Sequence, residues 1–257
     1  MLHLANQTQT ANREPRRKLN LHVGLAHSES EILEAQKLRY RVFADELGAK
    51  LPTRTPGIDR DIYDPFCEHL IVRDEENGRI VGTYRILSPQ AAREIGSYYS
   101  EGEFDLVRLG HLRDRIVEVG RSCIDAEYRT GGTIALLWSG LMRYMLQNRH
   151  DFLIGCASIG MADGGHAAAS VFLKMEDHLS PLEYRVFPRN PLPLEHMEFN
   201  PKAETPPLIR GYLKAGAHVC GEPAWDPDFN TADLFMMLPM TNIDKRYAKH
   251  FVERQAA

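Results

Sequence analysis

The chain has 257 residues, 43% of them apolar, with 31 Lys and Arg against 35 Asp and Glu, giving a formal charge of −4. That length buries a full core as one large domain or two small ones, and the charge balance gives no reason to expect a nucleic-acid partner. Cys67, Cys123, Cys156 and Cys220 are scattered without a C-x-x-C pair, which favours reduced, buried thiols over disulfides or a zinc site. No run approaches the ~20 apolar residues of a spanning helix, and the N-terminus lacks the apolar core of a signal peptide, so the expected compartment is the cytoplasm.

Residues 1–19 are polar, with Arg13, Arg16, Arg17 and Lys18 close together. They are expected to form a disordered tail that touches anionic lipid reversibly at most, each cation near such a surface contributing about 1 kcal/mol. LHVGLA (21–26) reads as a first strand. In the next segment Ser28 and Glu31 have capping-box spacing, Ile32, Ala35, Leu38, Val42 and Phe43 form a helical stripe, and Gly48 stands where a C-terminal cap belongs. Residues 49–66 make a loop, and CEHLIVRDEENGRIVGTYRILSP reads as a hairpin turning at Glu-Asn-Gly. Residues 89–114 suggest a short helix and an irregular crossing. A strand at 115–124, a helix at about 132–149 and a buried strand at 152–159 follow. Further on, the pattern predicts a helix near 163–177, a short strand at 184–187, and a helix opened by Pro206-Pro207 through about Leu213. A late strand at 231–239 and a closing helix over Asn242–Arg254 complete the chain. Helices and strands interleave without a repeat, which predicts a mixed α/β or α+β domain over 20–257.

The run RIVEVGRSCIDAEYRTGG (115–132) carries the chemistry. In a regular strand Glu118 and Arg121 point to opposite faces. Gly120 between them suggests a bulge, which brings both charges to one face and splays the strand from its neighbour. The loop Arg129-Thr130-Gly131-Gly132 opens a helix whose free N–H groups and dipole suit an anion. A slot with a carboxylate and an anion-binding helix end suits acyl transfer to an amine. The carboxylate takes the proton, and a backbone N–H steadies the oxyanion. The simpler alternatives are a tight strand-to-helix turn and a surface ion pair on an edge strand.

This strand, loop and helix resemble the GCN5-related N-acetyltransferase fold, although the glycines here are adjacent and early in the loop. A spaced set, Arg39-x-x-x-Phe43, Asp59-x-Asp61-x-x-Asp64, Arg85 in YRIL and Glu118-x-x-Arg121, resembles the acyl-homoserine-lactone synthases. Those enzymes carry a tryptophan after Leu-Gly where this chain reads LGAKL. From LRYRVFADELG to WDPDFNTADLFMMLPM the chain is most similar to the ornithine N-acyltransferases.

The resemblance implies a central mixed, mostly antiparallel sheet with a splayed, bulged strand and flanking helices. It implies a catalytic and acyl-carrier part over about 28–180 with a C-terminal extension over about 181–257. It further implies transfer of a (3-hydroxy)fatty acyl group from acyl carrier protein to the α-amine of L-ornithine, giving lyso-ornithine lipid. A signal synthase or an acyltransferase for another amino acid is the alternative. No metal or resident cofactor is expected, since the phosphopantetheine arrives on the carrier.

Within that expectation Glu118 and Arg121 are catalytic, and Arg129, Thr130, Gly131 and Gly132 hold the phosphopantetheine phosphate. Asp61 and Asp64 bind a cationic substrate end. Asp59 reads as a solvated turn residue. Arg39 and Arg85 either pair with those aspartates or grip the amino-acid carboxylate. The stripe Ile134, Leu137, Trp138, Leu141 and Met145 reads as core, His166 as a polar cap, and Cys123 as packing. Arg129, Arg143 and Arg149 offer a basic surface to an acidic carrier, although Arg149 also suits a helix C-terminus.

Overall fold

The structure, a computed structural model, describes residues 19–243. The expected tail, save its last residue, and the expected closing helix beyond Ile243 lie outside the described residues.

Eight strands form one sheet. They are β1 (Leu21–Leu25), β2 (Glu68–Asp74), β3 (Ile80–Leu87), β4 (Ile116–Ile124), β5 (Phe152–Gly160), β6 (His218–Val219), β7 (Ala224–Asp226) and β8 (Thr231–Pro239). The order is β1-β2-β3-β4-β5-β8-β6, with β7 also against β8. Every pair is antiparallel except β4–β5. The β2–β3 hairpin turns where the sequence reads Glu-Asn-Gly, and Gly78 there takes φ +74, which side chains resist.

Helices cover both faces. On one face α1 (Glu29–Tyr40) starts at Ser28, whose hydroxyl accepts from the Glu31 N–H, while Glu31 reaches back to the His27 N–H. It continues as a π-helical stretch over Arg41–Glu46 and ends before Gly48 at φ +74. Leu38, Val42 and Phe43 pack there against Ile71, Ile80 and Cys123. Farther along the same face, α2 (Pro89–Ile95) and Tyr98 cover Leu87, Ile116, Ile154 and Phe235. On the opposite face α3 (Gly131–Gln147), α4 (His166–Leu173) and α5 (Pro207–Ala215) pack against Leu70, Val72, Val117, Leu153 and Met236. Leu137, Leu141 and Met145 are buried in that core, as the helical stripe predicts. The predicted strand at 184–187 is only a two-residue pairing of Phe187–Pro188 with Phe104–Asp105, in a small sheet of its own. The helix expected over 163–177 is shorter. Asp163 stands ahead of it and accepts from the N–H groups of Gly165 and Ala167.

Two irregularities shape the centre. Between Thr83 and Arg85 of β3 the register against β4 moves from Cys123 to Gly120, so β4 carries one extra residue. The burial pattern confirms it, because Val117 and Ile124 face the same core although they stand an odd number of positions, seven, apart. The left-handed backbone belongs to Arg121, at φ +51, and not to Gly120. The second irregularity is that β4 pairs with β5 only at Ile116↔Phe152, Val117↔Leu153 and Glu118↔Ile154. Just beyond, the Val119 carbonyl oxygen stands 2.4 Å from where a Cβ on Gly155 would lie. Gly155→Ala should therefore force these backbones apart and cost about 1–3 kcal/mol. Urea titration of both variants checks this, since Gly120→Ala, whose Cβ meets nothing within 4 Å, should leave stability unchanged.

Candidate active site

Where β4 and β5 part, a cavity of about 130 Å³ passes through the sheet. Strand alternation gives it two unlike arms. On the α3–α5 face it is lined by Leu153, Leu208, Ile209, Tyr212, Met236 and Leu238. On the α1–α2 face it is lined by Glu118, Arg85, Arg121 and Tyr99, together with Glu103, Asp226 and Asp233.

Glu118 sits at the junction and is 4% exposed. Its carboxylate accepts from the backbone N–H of Tyr99 at 2.6 Å and of Ser100 at 2.8 Å. Both donors open the 3-10 turn Tyr99–Gly102, so the turn fixes the carboxylate as an acceptor. Burial raises its pKa, and the hydrogen bonds from Ser100 and Tyr99 oppose the rise without cancelling it. Glu118 is thus no half of a surface ion pair. Arg121 instead donates to the Tyr99 hydroxyl at 3.1 Å and lies over that ring and the ring of Phe229. Tyr99 therefore ties the two residues together, the carboxylate by its N–H and the guanidinium by its hydroxyl. Sequence reasoning missed it because residues 89–114 carry no periodicity.

Behind Arg121 lies a buried lattice of three arginines and three aspartates. Arg39, with no exposure at all, donates to Asp59 at 2.8 Å and to Asp64 at 2.7 Å. Arg85 donates to Asp61 at 2.7 Å and to Asp64 at 3.0 Å. Arg121 lies 3.3 Å from Asp59 and 3.6 Å from Asp61. Asp59, read from sequence as a solvated turn residue, is fully buried. The error has a physical cause: an isolated Asp in a Pro- and Gly-rich loop gives no sign of an arginine twenty residues away. Burial opposes charge on Asp64, but Arg39 and Arg85 outweigh it and hold the carboxyl well below the usual carboxylate range. Asp61 and Asp64, expected to hold a cationic substrate end, are closed by arginines and do not line the cavity. Arg39 is likewise structural in its contacts, whereas Arg85 belongs to both lattice and cavity.

The loop before α3 lies at the end of β4. Gly131 and Gly132 begin the helix, Thr130 is its cap residue, and a Cβ on Gly131 would meet nothing within 4 Å. Arg129 is not free: both its terminal nitrogens meet the carboxylate of Glu46 at the end of the π-helical stretch. An incoming anion would share Arg129 with Glu46. Cys123 is fully buried, and burial pushes its thiol up to about 12, which suits packing and not a nucleophile.

Known proteins bear on this geometry. The family model described as acetyltransferase (GNAT) domain matches residues 38–139. An L-ornithine N(alpha)-acyltransferase of Agrobacterium fabrum is 37% identical over 248 residues, covering 90% of this chain and 85% of that one. One of Rhizobium meliloti is 38% identical over 253 residues, covering 90% and 84%. The chain belongs to the L-ornithine N(alpha)-acyltransferase family. Among solved structures, the CoA-dependent acyl-homoserine lactone synthase BjaI superposes with a TM-score of 0.54 at 14% identity, covering 88% of this chain and 82% of that one, a likeness of fold.

The lattice should be visible in stability. His69, 1% exposed, lies beside Arg39 and Asp64, and burial, then the Arg39 charge, lowers its pKa to about 4. The unfolded chain protonates this histidine near 6.5. A lowered folded value means its contribution is fully present above pH 6.5 and is lost as pH falls toward 4, by roughly 3 kcal/mol. In urea titrations across that window His69→Gln should flatten the curve. An unchanged slope would show that His69 already titrates normally in the fold.

Proposed function

We propose that this protein moves a (3-hydroxy)fatty acyl group from the thioester of acyl carrier protein to the α-amine of L-ornithine. The product is lyso-ornithine lipid. The observation that carries this reading is the two-armed cavity: apolar on one face of the sheet, charged on the other, with Glu118 at the passage between them. That shape matches an N-acylated amino acid, which has a fatty tail and a charged head. The activity for which the relatives are named supports the same reading.

In the proposed reaction the acyl chain occupies the arm of Leu153, Ile209, Tyr212 and Met236. The phosphopantetheine phosphate meets the N-terminus of α3 at Thr130, Gly131 and Gly132, with Arg129 beside it. Arg121 and Arg85 face the acceptor's carboxylate. Glu118, its carboxyl raised by burial, takes the proton of the α-ammonium directly or through water. The freed nitrogen attacks the thioester carbonyl and the C–N bond forms; as the C–S bond breaks, the second proton lost from that nitrogen passes to the departing sulfur, and the carrier leaves as its thiol. Backbone N–H groups of β4 that lose their β5 partners beyond Glu118 are placed to steady the oxyanion. The basic residues Arg13, Arg16, Arg17 and Lys18 supply reversible contact with an anionic membrane surface that can accept the product. No helix of the described residues is long and apolar enough to cross a membrane.

Thiol release with purified protein, acyl donors and amino acids tests the reading. Glu118→Gln should lower kcat roughly 10²–10⁴-fold and remove the acidic limb of the pH–rate profile. Near-normal turnover would assign the proton to another group. Gly120→Val should fold normally yet lose activity, because its side chain enters the cavity. For the donor, acyl carrier protein should exceed the matching acyl-coenzyme A in kcat/KM, with Arg129→Glu or added salt eroding that advantage. Equal use of both donors at every salt concentration would remove the carrier from the account.

A further inference from the structure

The charged arm holds three carboxyl groups that the proton-transfer step does not use: Glu103, Asp226 and Asp233. They come from three distant segments. Glu103 directly follows the turn whose N–H groups hold Glu118. Asp233 lies in β8 opposite Ser158 of β5, and Asp226 lies in β7 opposite Thr231. Acceptor atoms of Glu103 and Asp233 and the sulfur of Cys156 all lie within 4.8 Å of one another.

These groups differ from the aspartates of the lattice in one respect. Asp59, Asp61 and Asp64 each meet an arginine, whereas among the described residues no arginine or lysine forms an ion pair with Glu103, Asp226 or Asp233. Asp233 is only 4% exposed, and its Oδ1 has no hydrogen-bond partner. Glu103 Oε2 is buried and unpartnered as well. Burial, then the charge of Asp233, pushes the Glu103 carboxyl far above the ordinary range, and burial raises Asp226. Two buried carboxylates this close repel, so the free protein keeps a proton on Glu103, hydrogen-bonded to Asp233, and a bound cation can take that proton's place.

The chemistry of a cation that suits this group follows from the donors and their surroundings. Burial keeps the Cys156 thiol protonated, so carboxylate oxygens are the ligands on offer. Across the same arm stands Arg121, joined to the group through Tyr99, whose hydroxyl feels both Arg121 and Glu103. The guanidiniums of Arg121 and Arg85, facing several carboxyls in the same arm, complement a molecule with a carboxylate at one end and a distal ammonium at the other. Such an ammonium keeps its proton while the α-amine loses one to Glu118.

We infer that Asp233, with Glu103 and Asp226, is the subsite for the distal ammonium of the acceptor and makes the enzyme select a dibasic amino acid over its neutral analogue. This rests on the amino-acid N-acylation proposed above and gives that acceptor site its selectivity.

The test uses purified full-length enzyme, acyl carrier protein thioester, and ornithine or norvaline, which lacks the distal amine. Wild type should favour ornithine strongly. In Asp233→Asn the ratio of kcat/KM for ornithine to that for norvaline should fall about 10²-fold, chiefly through KM for ornithine. Glu103→Gln should shift the ratio the same way. Removing one of several repelling carboxyls should also leave the melting temperature of the empty protein equal to or above wild type, which separates lost selectivity from lost folding. An ornithine-to-norvaline ratio unchanged in both variants would overturn the subsite while leaving amino-acid acylation intact. A stoichiometric divalent metal found in the purified protein, with activity lost on its removal, would assign the carboxyls to that metal and overturn the subsite too. If wild type acylates no amino acid at all, both the function and the subsite fall.

Discussion

The parting of β4 from β5 after Glu118 is the constraint on which the rest of the site depends. A continuous sheet is a wall, because its backbone groups pair and its side chains fill both layers. Here the parallel pairing stops at Glu118↔Ile154, and Gly155 lets the Val119 carbonyl come closer than any side chain would permit. The wall acquires a passage. Because side chains alternate, one end of the passage inherits the apolar residues of the α3–α5 face and the other the charged residues of the α1–α2 face. A single break in pairing thus gives one cavity two chemistries and puts a carboxylate at their boundary.

Two sets of charges occupy the charged face, and they serve different ends. Arg39, Arg85 and Arg121 are matched by Asp59, Asp61 and Asp64 in a nearly dry lattice. Such a lattice is weak evidence for net stability, yet removing one partner strands the others, so it fixes geometry firmly. It holds Arg121 at a left-handed backbone angle that a long side chain seldom takes. Glu103, Asp226 and Asp233 line the same cavity, and none of them forms an ion pair with an arginine or lysine among the described residues. The first set is ion-paired within the fold, although Asp59 Oδ1 and Asp61 Oδ2 accept no hydrogen bond, and the second is the proposed ammonium subsite.

Much of this was legible in the chain. Ser28 and Gly48 bracket the first helix as their chemistry requires, and Glu118-x-x-Arg121 marks the bulged strand. The bulge itself was misplaced by one residue. Glycine is the usual signal for special backbone angles, but ion pairs and ring contacts from the lattice put the strain on Arg121 instead. Asp61 and Asp64 were read as substrate ligands because an aspartate in a loop shows nothing of its partners. Tyr99, Glu103 and Asp233 went unread because only the tertiary fold brings them together, β8 entering the sheet beside β5. One local sign was present: TADLFMMLP is an apolar strand interrupted by an acid, and a buried acid in such a strand needs a reason.

The central claim is that donor and acceptor meet through the sheet, the acyl chain on one face and the amino acid on the other. A crystal structure of the protein with an N-acylornithine bound tests it most directly. The account predicts density threading the gap between β4 and β5, with the chain against Ile209 and Met236, the amide beside Glu118 and the distal nitrogen at Asp233. Density confined to one face of the sheet, with the gap empty, would contradict it.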